Sequence, residues 1–269
     1  MRDNYYYQGL FNDFIGREAA LRQIKRYHIY NPMLYRSDDF THSWRVHWMV
    51  KRLLPYATEA FGAAFDPEKA LILALVHDDT EMIIGDIQAG NKVKMTTEQL
   101  AELDRQELEA TNKMAERFPR TIGGYVYQEL LQAIVKLETL EAQFVKFMDK
   151  MDAFGEALHE VHGGSDVFTK NVVNELGVIP TPLEYYTNFF AVILEKFPLL
   201  TPVVDRQPAV YFSPPSLRDF SAVARAGTPH NAESILQPTG YAHYDFWRET
   251  ILAFGDQEAK RNLYEQKEF

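Results

Sequence analysis

His42, His77, Asp78 and Asp149 are polar residues set among apolar neighbours, and their types suit a divalent cation. The run Ala70 to Val76 is small or apolar throughout and then meets His77, Asp78, Asp79, Thr80 and Glu81, with Gly85-Asp86 following. Such a segment brings charge to the end of a buried helix. Burying carboxylates is costly unless positive charge compensates, and an adjacent His-Asp pair is a natural way to hold a metal. His42 begins a helical face that continues through Val46, Met49 and Leu53. Asp149 lies in a stripe with Phe144, Val145, Met148 and Met151, where a carboxylate again asks for a counter-charge. Two imidazoles and two carboxylates from three helices can coordinate one divalent ion and leave positions for water, as a hydrolytic site requires. Asp152, one turn on, competes with Asp149 for the last place.

The elements that must position these groups read as helices. The spacing of Ala19, Leu21, Ile24 and Tyr27 predicts a helix over Gly16 to Tyr27, with Arg17, Arg22, Lys25 and Arg26 on a solvated face. Asn31-Pro32 and Ser37-Asp38-Asp39 carry turn and cap chemistry, and the helix bearing His42 should start near Thr41. Asp66-Pro67-Glu68 opens the next one, with Asp as cap, Pro as first helical residue and Glu near the positive end of the dipole. Gly85 breaks it and leaves Asp86 in a loop that continues through Lys92. Thr96-Thr97-Glu98-Gln99 resembles a capping box and begins a charged outer helix to about Phe118. Tyr125 to Leu137 and Thr139 to Val161 are the following helices, and Gly163-Gly164 marks the end of the second. Beyond it, Thr181-Pro182-Leu183-Glu184 starts a helix that ends before Pro198. A proline-interrupted stretch follows, in which Pro208 to Ser213 is a candidate strand, and Tyr241 to Tyr264 is helical again. The fold class is therefore all-α, with a helical core over 1–162 and a mostly helical, partly proline-rich extension over 163–269.

Composition narrows the function. The hydrophobic share, 46% of 269 residues, is enough for a large buried core. With no cysteine, disulfides, thiolate metal sites and cysteine nucleophiles are excluded. A net charge of -10 argues against a nucleic-acid duplex as partner, because duplex binding needs many basic contacts to phosphate. No apolar run reaches the roughly 18 residues of a membrane span, and Met1 to Tyr7 lacks a signal's apolar region, so a cytoplasmic protein is expected.

The ordered set resembles the HD-domain superfamily of metal-dependent phosphohydrolases, whose signature is H…HD…D. Thr41-His42-Ser43, His77-Asp78-x-x-Glu81-x-x-x-Gly85-Asp86 and Val145-Lys146-x-x-Asp149-Lys150 resemble the branch containing bacterial 5'-deoxynucleotidases, over about Ile15 to His162. The resemblance implies metal ligands His42, His77, Asp78 and Asp149, and its last pattern prefers Asp149 to Asp152. It implies that Glu81 lies beside the attacking water and Asp86 near the sugar and leaving oxygen. Arg26 takes the place of a phosphate-binding arginine, and Tyr27 stands where the branch has a tryptophan beside the sugar. Arg36 is a further candidate phosphate contact. The expected cofactor is one divalent ion, from Mn, Co, Ni, Fe, Zn or Mg, with two imidazoles favouring a first-row transition metal. The expected partner is a nucleotide or another small phosphate ester, and the extension is a candidate cover for the site or dimer interface.

Blander roles compete. His42 alone reads as a cap, Asp149 as a partner of Lys146 or Lys150, and Glu81, Arg26 and Arg36 as surface charge. Asp79 reads as solvated or as a support for the metal ligands. Tyr5-Tyr6-Tyr7 reads as packing, and His159 and His162 as residues of a helix end. Rival functions are an HD-domain nucleoside triphosphate, cyclic nucleotide or guanosine tetraphosphate hydrolase, and a non-catalytic metal-binding regulatory module. Glu81 and Asp86 favour an enzyme, since merely holding an ion does not need them.

Overall fold

The computed structural model describes residues 2–33, 35–87, 89–162, 165–204 and 242–254. These residues are mainly helical, and their paired strands are confined to two small antiparallel hairpins. Contacts divide the chain into two compact units. The first comprises Met1–Arg26, Asp38–Ile87 and Met95–Met148; the second comprises Tyr27–Ser37, Gln88–Lys94 and Asp149–Phe269.

The first unit is organised around helix α4 (Pro67–Val76), in which every residue from Ala70 to Val76 is buried. An apolar surface on all sides requires cover on all sides. Helix α3 (Asp39–Phe61) packs along it and buries Val46, Met49, Val50 and Leu53. Helix α8 (Tyr127–Lys136) packs on it too, and the outer helix α7 (Thr97–Arg117) packs on α8. The caps follow the sequence: Asp66 accepts from the Glu68 and Lys69 amides, Thr96 and Gln99 complete a capping box, and Asp38 accepts from Thr41. The helix carrying His42 thus starts at Asp39, slightly earlier than Thr41. Between α7 and α8, Thr121–Ile122 pairs with Tyr125–Val126. Gly123 turns this hairpin at φ +58, where a Cβ would lie 2.3 Å from Ile72 Cδ1, so the turn can approach α4 only without a side chain.

One predicted helix is shorter than its spacing suggests. Helix α2 covers Arg17–Gln23 and does not reach Tyr27. Ile24 is extended, Lys25 forms an antiparallel bridge with Asp38, and Tyr27 has φ 54. Strand-like pairing across this short loop overrides the helical periodicity. Nor is the basic face uniformly solvated, because Arg17 and Arg26 are buried. Tyr7 packs in the core as expected, whereas Tyr5 is exposed.

In the second unit the continuing helix α9 (Leu140–His162) anchors the loop over 27–37. The Tyr35 amide donates to Glu160 Oε1 at 2.8 Å, and the Ser37 hydroxyl donates to Glu156 Oε2 at 2.7 Å. The Ser37 amide also donates to Glu156, at 3.2 Å. Helix Ala242–Phe254 packs here through Trp247, whose ring occupies the space that a Cβ on Gly155 would need. A second hairpin pairs Val172–Asn174 with Gly177–Ile179. Neither hairpin is legible in the sequence, because strands of two or three residues are too short for alternation to register. The stretch after Gly85, expected to be all loop, contains a helical turn at Ala89–Lys92. The helix from Pro182 ends at Ala191, and Ile193–Lys196 forms a separate turn before Pro198. Gly163-Gly164, the candidate strand over 208–213 and the end of the last helix lie outside the described residues. No helix of the described residues is long and apolar enough to cross a membrane.

Candidate metal centre

The chain after α4 delivers His77 and Asp78. Helix α4 ends at Val76, and successive three-residue hydrogen bonds, Asp79 to Val76, Glu81 to Asp78 and Ile83 to Thr80, turn the backbone tightly into the short helix Glu81–Ile84. His77 Nδ1 lies 2.8 Å from the Ala74 carbonyl, which can only accept, so the proton is on Nδ1 and Nε2 presents its lone pair. That Nε2 is 3.2 Å from His42 Nε2, and each of the two nitrogens is 3.3 Å from Asp78 Oδ2. All three side chains are buried. Separations of this size are those of neighbouring corners in a tetrahedral site with bonds of about 2.0–2.1 Å, so the residues present fit a divalent cation.

Asp79 supports this turn from behind. It is fully buried and takes hydrogen bonds from Arg17 Nε at 2.9 and 2.8 Å, from Arg17 Nη2 at 2.6 Å and from the Tyr127 hydroxyl at 2.7 Å. Arg17 Nη2 also donates to the Leu75 carbonyl. Burial, and then the charge of Asp79, push the Tyr127 hydroxyl far above its ordinary range, so it remains a donor. The solvated alternative for Asp79 is therefore overturned: a buried arginine offsets its charge.

A carboxylate that sequence reasoning used only for turn chemistry joins the site. Asp39 is 0% exposed and forms a group with Asp78 and Glu81, one oxygen from each lying within 4.8 Å of the others. Its position, three residues before His42 on the same helix, was the available signal. Burial above all, then the charge of Asp78, raises the Asp39 carboxyl to about 8, although Arg26 opposes the shift. Glu81 is pushed well up by burial and by Asp78, Asp39 and Asp86. Arg26 Nη1 lies 3.5 Å from Asp78 Oδ2 and 3.9 Å from Asp39 Oδ1. Arg26 is thus gathered with the carboxylates in the first unit.

Asp86 also lies in the first unit, just after Gly85 ends the short helix, whereas Asp149, Tyr27 and Arg36 belong to the second. Asp149 is buried on α9, with Lys150 Nζ 3.1 Å from its Oδ2. Its rival Asp152 accepts from Trp247 Nε1 at 3.1 Å, and His159 Nδ1 is 3.0 Å from the Tyr244 hydroxyl. Tyr27 donates to the Ala153 carbonyl at 2.6 Å and packs against Phe168. Half-buried Arg36 donates to the Tyr30 carbonyl and, at 2.7 Å, to Asn31 Oδ1.

The profile of the 5'-deoxynucleotidase YfbR-like family matches residues 13–196, which include each of these candidates. The chain belongs to that family. A 5'-deoxynucleotidase of Vibrio parahaemolyticus is 28% identical over 183 residues, spanning 66% of this chain and 92% of the relative. One from Vibrio vulnificus is 27% identical over 186 residues, with the same coverage. Two solved structures are also similar. A conserved hypothetical protein from Pyrococcus furiosus has TM-score 0.49 and 22% identity, over 79% of this chain and 98% of its own. A predicted metal-dependent phosphohydrolase from Magnetospirillum magnetotacticum MS-1 has TM-score 0.45 and 19% identity, over 90% and 98%. As a member of the 5'-deoxynucleotidase YfbR-like family, the chain is a phosphohydrolase of the nucleotidase type.

Proposed function

We propose that the chain removes the phosphate of a nucleoside 5'-monophosphate, using one first-row divalent cation held by His42, His77, Asp78 and Asp149. The observation that carries this reading is the triangle of two imidazole nitrogens and one carboxylate oxygen, 3.2 to 3.3 Å on each side and buried. Asp149 enters through the pattern Val145-Lys146-x-x-Asp149-Lys150 and through its burial. When bound, such a cation lowers the pKa of water and neutralises phosphate charge. The fixed Nδ1 proton of His77 keeps its other nitrogen available as a ligand, and the Arg17–Asp79 pair holds the turn that carries Asp78. Glu81 orients the attacking water and accepts its proton. The proton that Glu81 takes from water passes through Asp86 to the leaving sugar oxygen, so it ends on the alcohol and both carboxyl groups return to their starting state. Arg26, beside Asp78, offers the phosphate a second positive charge. Tyr27 and Arg36 complete the substrate side from their loop, Tyr27 through its ring, because its hydroxyl is committed to Ala153.

The test joins metal counting to turnover. Purified protein should hold stoichiometric metal and release orthophosphate from nucleoside monophosphates with Mn, Co or Ni, and with Mg more slowly. His77→Ala and Asp149→Ala should lose both metal and turnover. If both variants keep full metal and activity, the ligand assignment is wrong. Release of pyrophosphate or triphosphate from nucleoside triphosphates would reject the monophosphatase reading.

A further inference from the structure

Asp78 belongs to two constellations at once. One is the triangle with His42 and His77; the other is the all-carboxylate group with Asp39 and Glu81. The Asp39 side chain is 0% exposed, and among the described residues neither of its oxygens accepts a hydrogen bond from outside the carboxylate group. Glu81 Oε2 is likewise shut off from solvent with no donor there. The cation facing them, Arg26, stands 3.9 Å from Asp39 Oδ1, beyond hydrogen-bond reach. Asp39 and Glu81 are close enough to share a proton, which is the competing way to relieve their repulsion. Asp86 adds a further negative charge nearby. Among the described residues, one oxygen each of Asp39, Asp78 and Glu81 thus lies within 4.8 Å of the others, a gathering of buried carboxylates that a cation among them would stabilise.

We propose that Asp39, Asp78 and Glu81 bind a second divalent cation, with the Asp78 carboxylate bridging it to the ion at His42 and His77. The inference rests on the single-ion reading above for the neighbouring ion and goes beyond it. The second site offers only carboxylate oxygens, so it suits a hard ion, Mg2+ or Mn2+, whereas the imidazole site suits a softer one. Its three ligands lie within one compact unit, and Asp39 precedes His42 by three residues on α3. The pair of ions is the arrangement that supports both the attacking and the departing oxygen of a phosphate ester.

The experiment titrates chelator-treated full-length protein with Mn2+, counts bound metal after gel filtration and records electron paramagnetic resonance. Wild type should bind two Mn2+ per chain and give the spectrum of a spin-coupled pair. Asp39→Asn, which keeps the side chain's shape, should bind one and give the six-line spectrum of an isolated ion. Asp39→Ser is the second variant if the amide does not fold, and the wild-type spectrum decides the matter without either. Wild type that binds a single, uncoupled Mn2+ up to millimolar concentration overturns the second site and leaves the single-ion reading intact. The same result, with a protonated-carboxyl infrared band that disappears in Asp39→Asn, overturns it in favour of a shared proton. Wild type that binds no Mn2+, Co2+ or Ni2+ overturns the single-ion reading as well.

Discussion

Replacing Arg17 with methionine should unfold the support of the metal centre before touching any ligand. The guanidinium makes three contacts of 2.6 to 2.9 Å with the Asp79 carboxylate, and the two side chains are 4% and 0% exposed. Without it, Asp79 keeps the Tyr127 hydroxyl but loses the positive charge that offsets its burial. Removing one partner of such a pair costs about 3–5 kcal/mol, which in a chain of this size is about 6–20 °C in Tm. Asp79→Asn should cost a comparable amount by stranding Arg17. The double variant Arg17→Met/Asp79→Asn should recover about 1–3 kcal/mol of the summed loss, because neither buried charge remains. Urea denaturation of the four proteins gives the cycle, and calorimetry with Mn2+ adds a second measure. Loosening the turn should weaken metal binding by about 10- to 100-fold in Arg17→Met although His42, His77 and Asp78 are intact. An Arg17→Met protein within 1 kcal/mol of wild type, or single losses that simply add, would refute the reasoning.

Other perturbations separate chemistry from packing. Glu81→Gln should lower kcat by about 10²–10⁴ while the ion at the imidazoles stays bound, and steady-state kinetics with metal analysis would expose a silent change. His47 is buried with Nδ1 2.9 Å from the Leu71 carbonyl, and burial lowers its pKa to about 4. The unfolded chain, with pKa near 6.5, takes up that proton first. The resulting stability is complete above about pH 6.5 and is lost toward pH 4, by up to about 3 kcal/mol. His47→Asn, which keeps a donor near the Nδ1 position, should flatten that part of the pH–stability profile. Gly155→Ala would place a methyl 2.1 Å from Trp247 Cγ and should cost about 1–3 kcal/mol or more by overpacking, read from its Tm.

The grouping of His77 and Asp78 at a helix end was legible because its signal is one of contrast. An unbroken apolar run ending in His77-Asp78 can belong only to a helix that is covered all round and opens onto something charged, and α4 is that helix. The helix start at Asp66-Pro67 and the capping box at Thr96 were legible for a similar reason, since their side chains bond the adjacent backbone and need no distant partner. Roles set by distant partners were not. Arg17 looks like any base on a helix until Asp79, 62 residues away, is folded against it. Asp39 looks like turn chemistry until Asp78 and Glu81 arrive from the turn after α4 and the short helix that follows it. The end of α2 at Gln23 was hidden because Ile24 continues the apolar spacing while its backbone has left the helix.

The loop over 27–37 is moored by side chains, through the Ser37 hydroxyl and the buried rings of Tyr30 and Tyr35, and also by its main chain, with the amides of Tyr35 and Ser37 donating to Glu160 and Glu156. A peptide amide is available whatever residue, proline apart, occupies those positions. The amide part of the tether is consequently indifferent to side-chain identity, while the buried rings and the Ser37 hydroxyl are not. His28, Ile29 and Met33, which are exposed or half-buried, form a natural target for randomised libraries, because Glu156 and Glu160 keep the segment in place whatever side chains those positions carry.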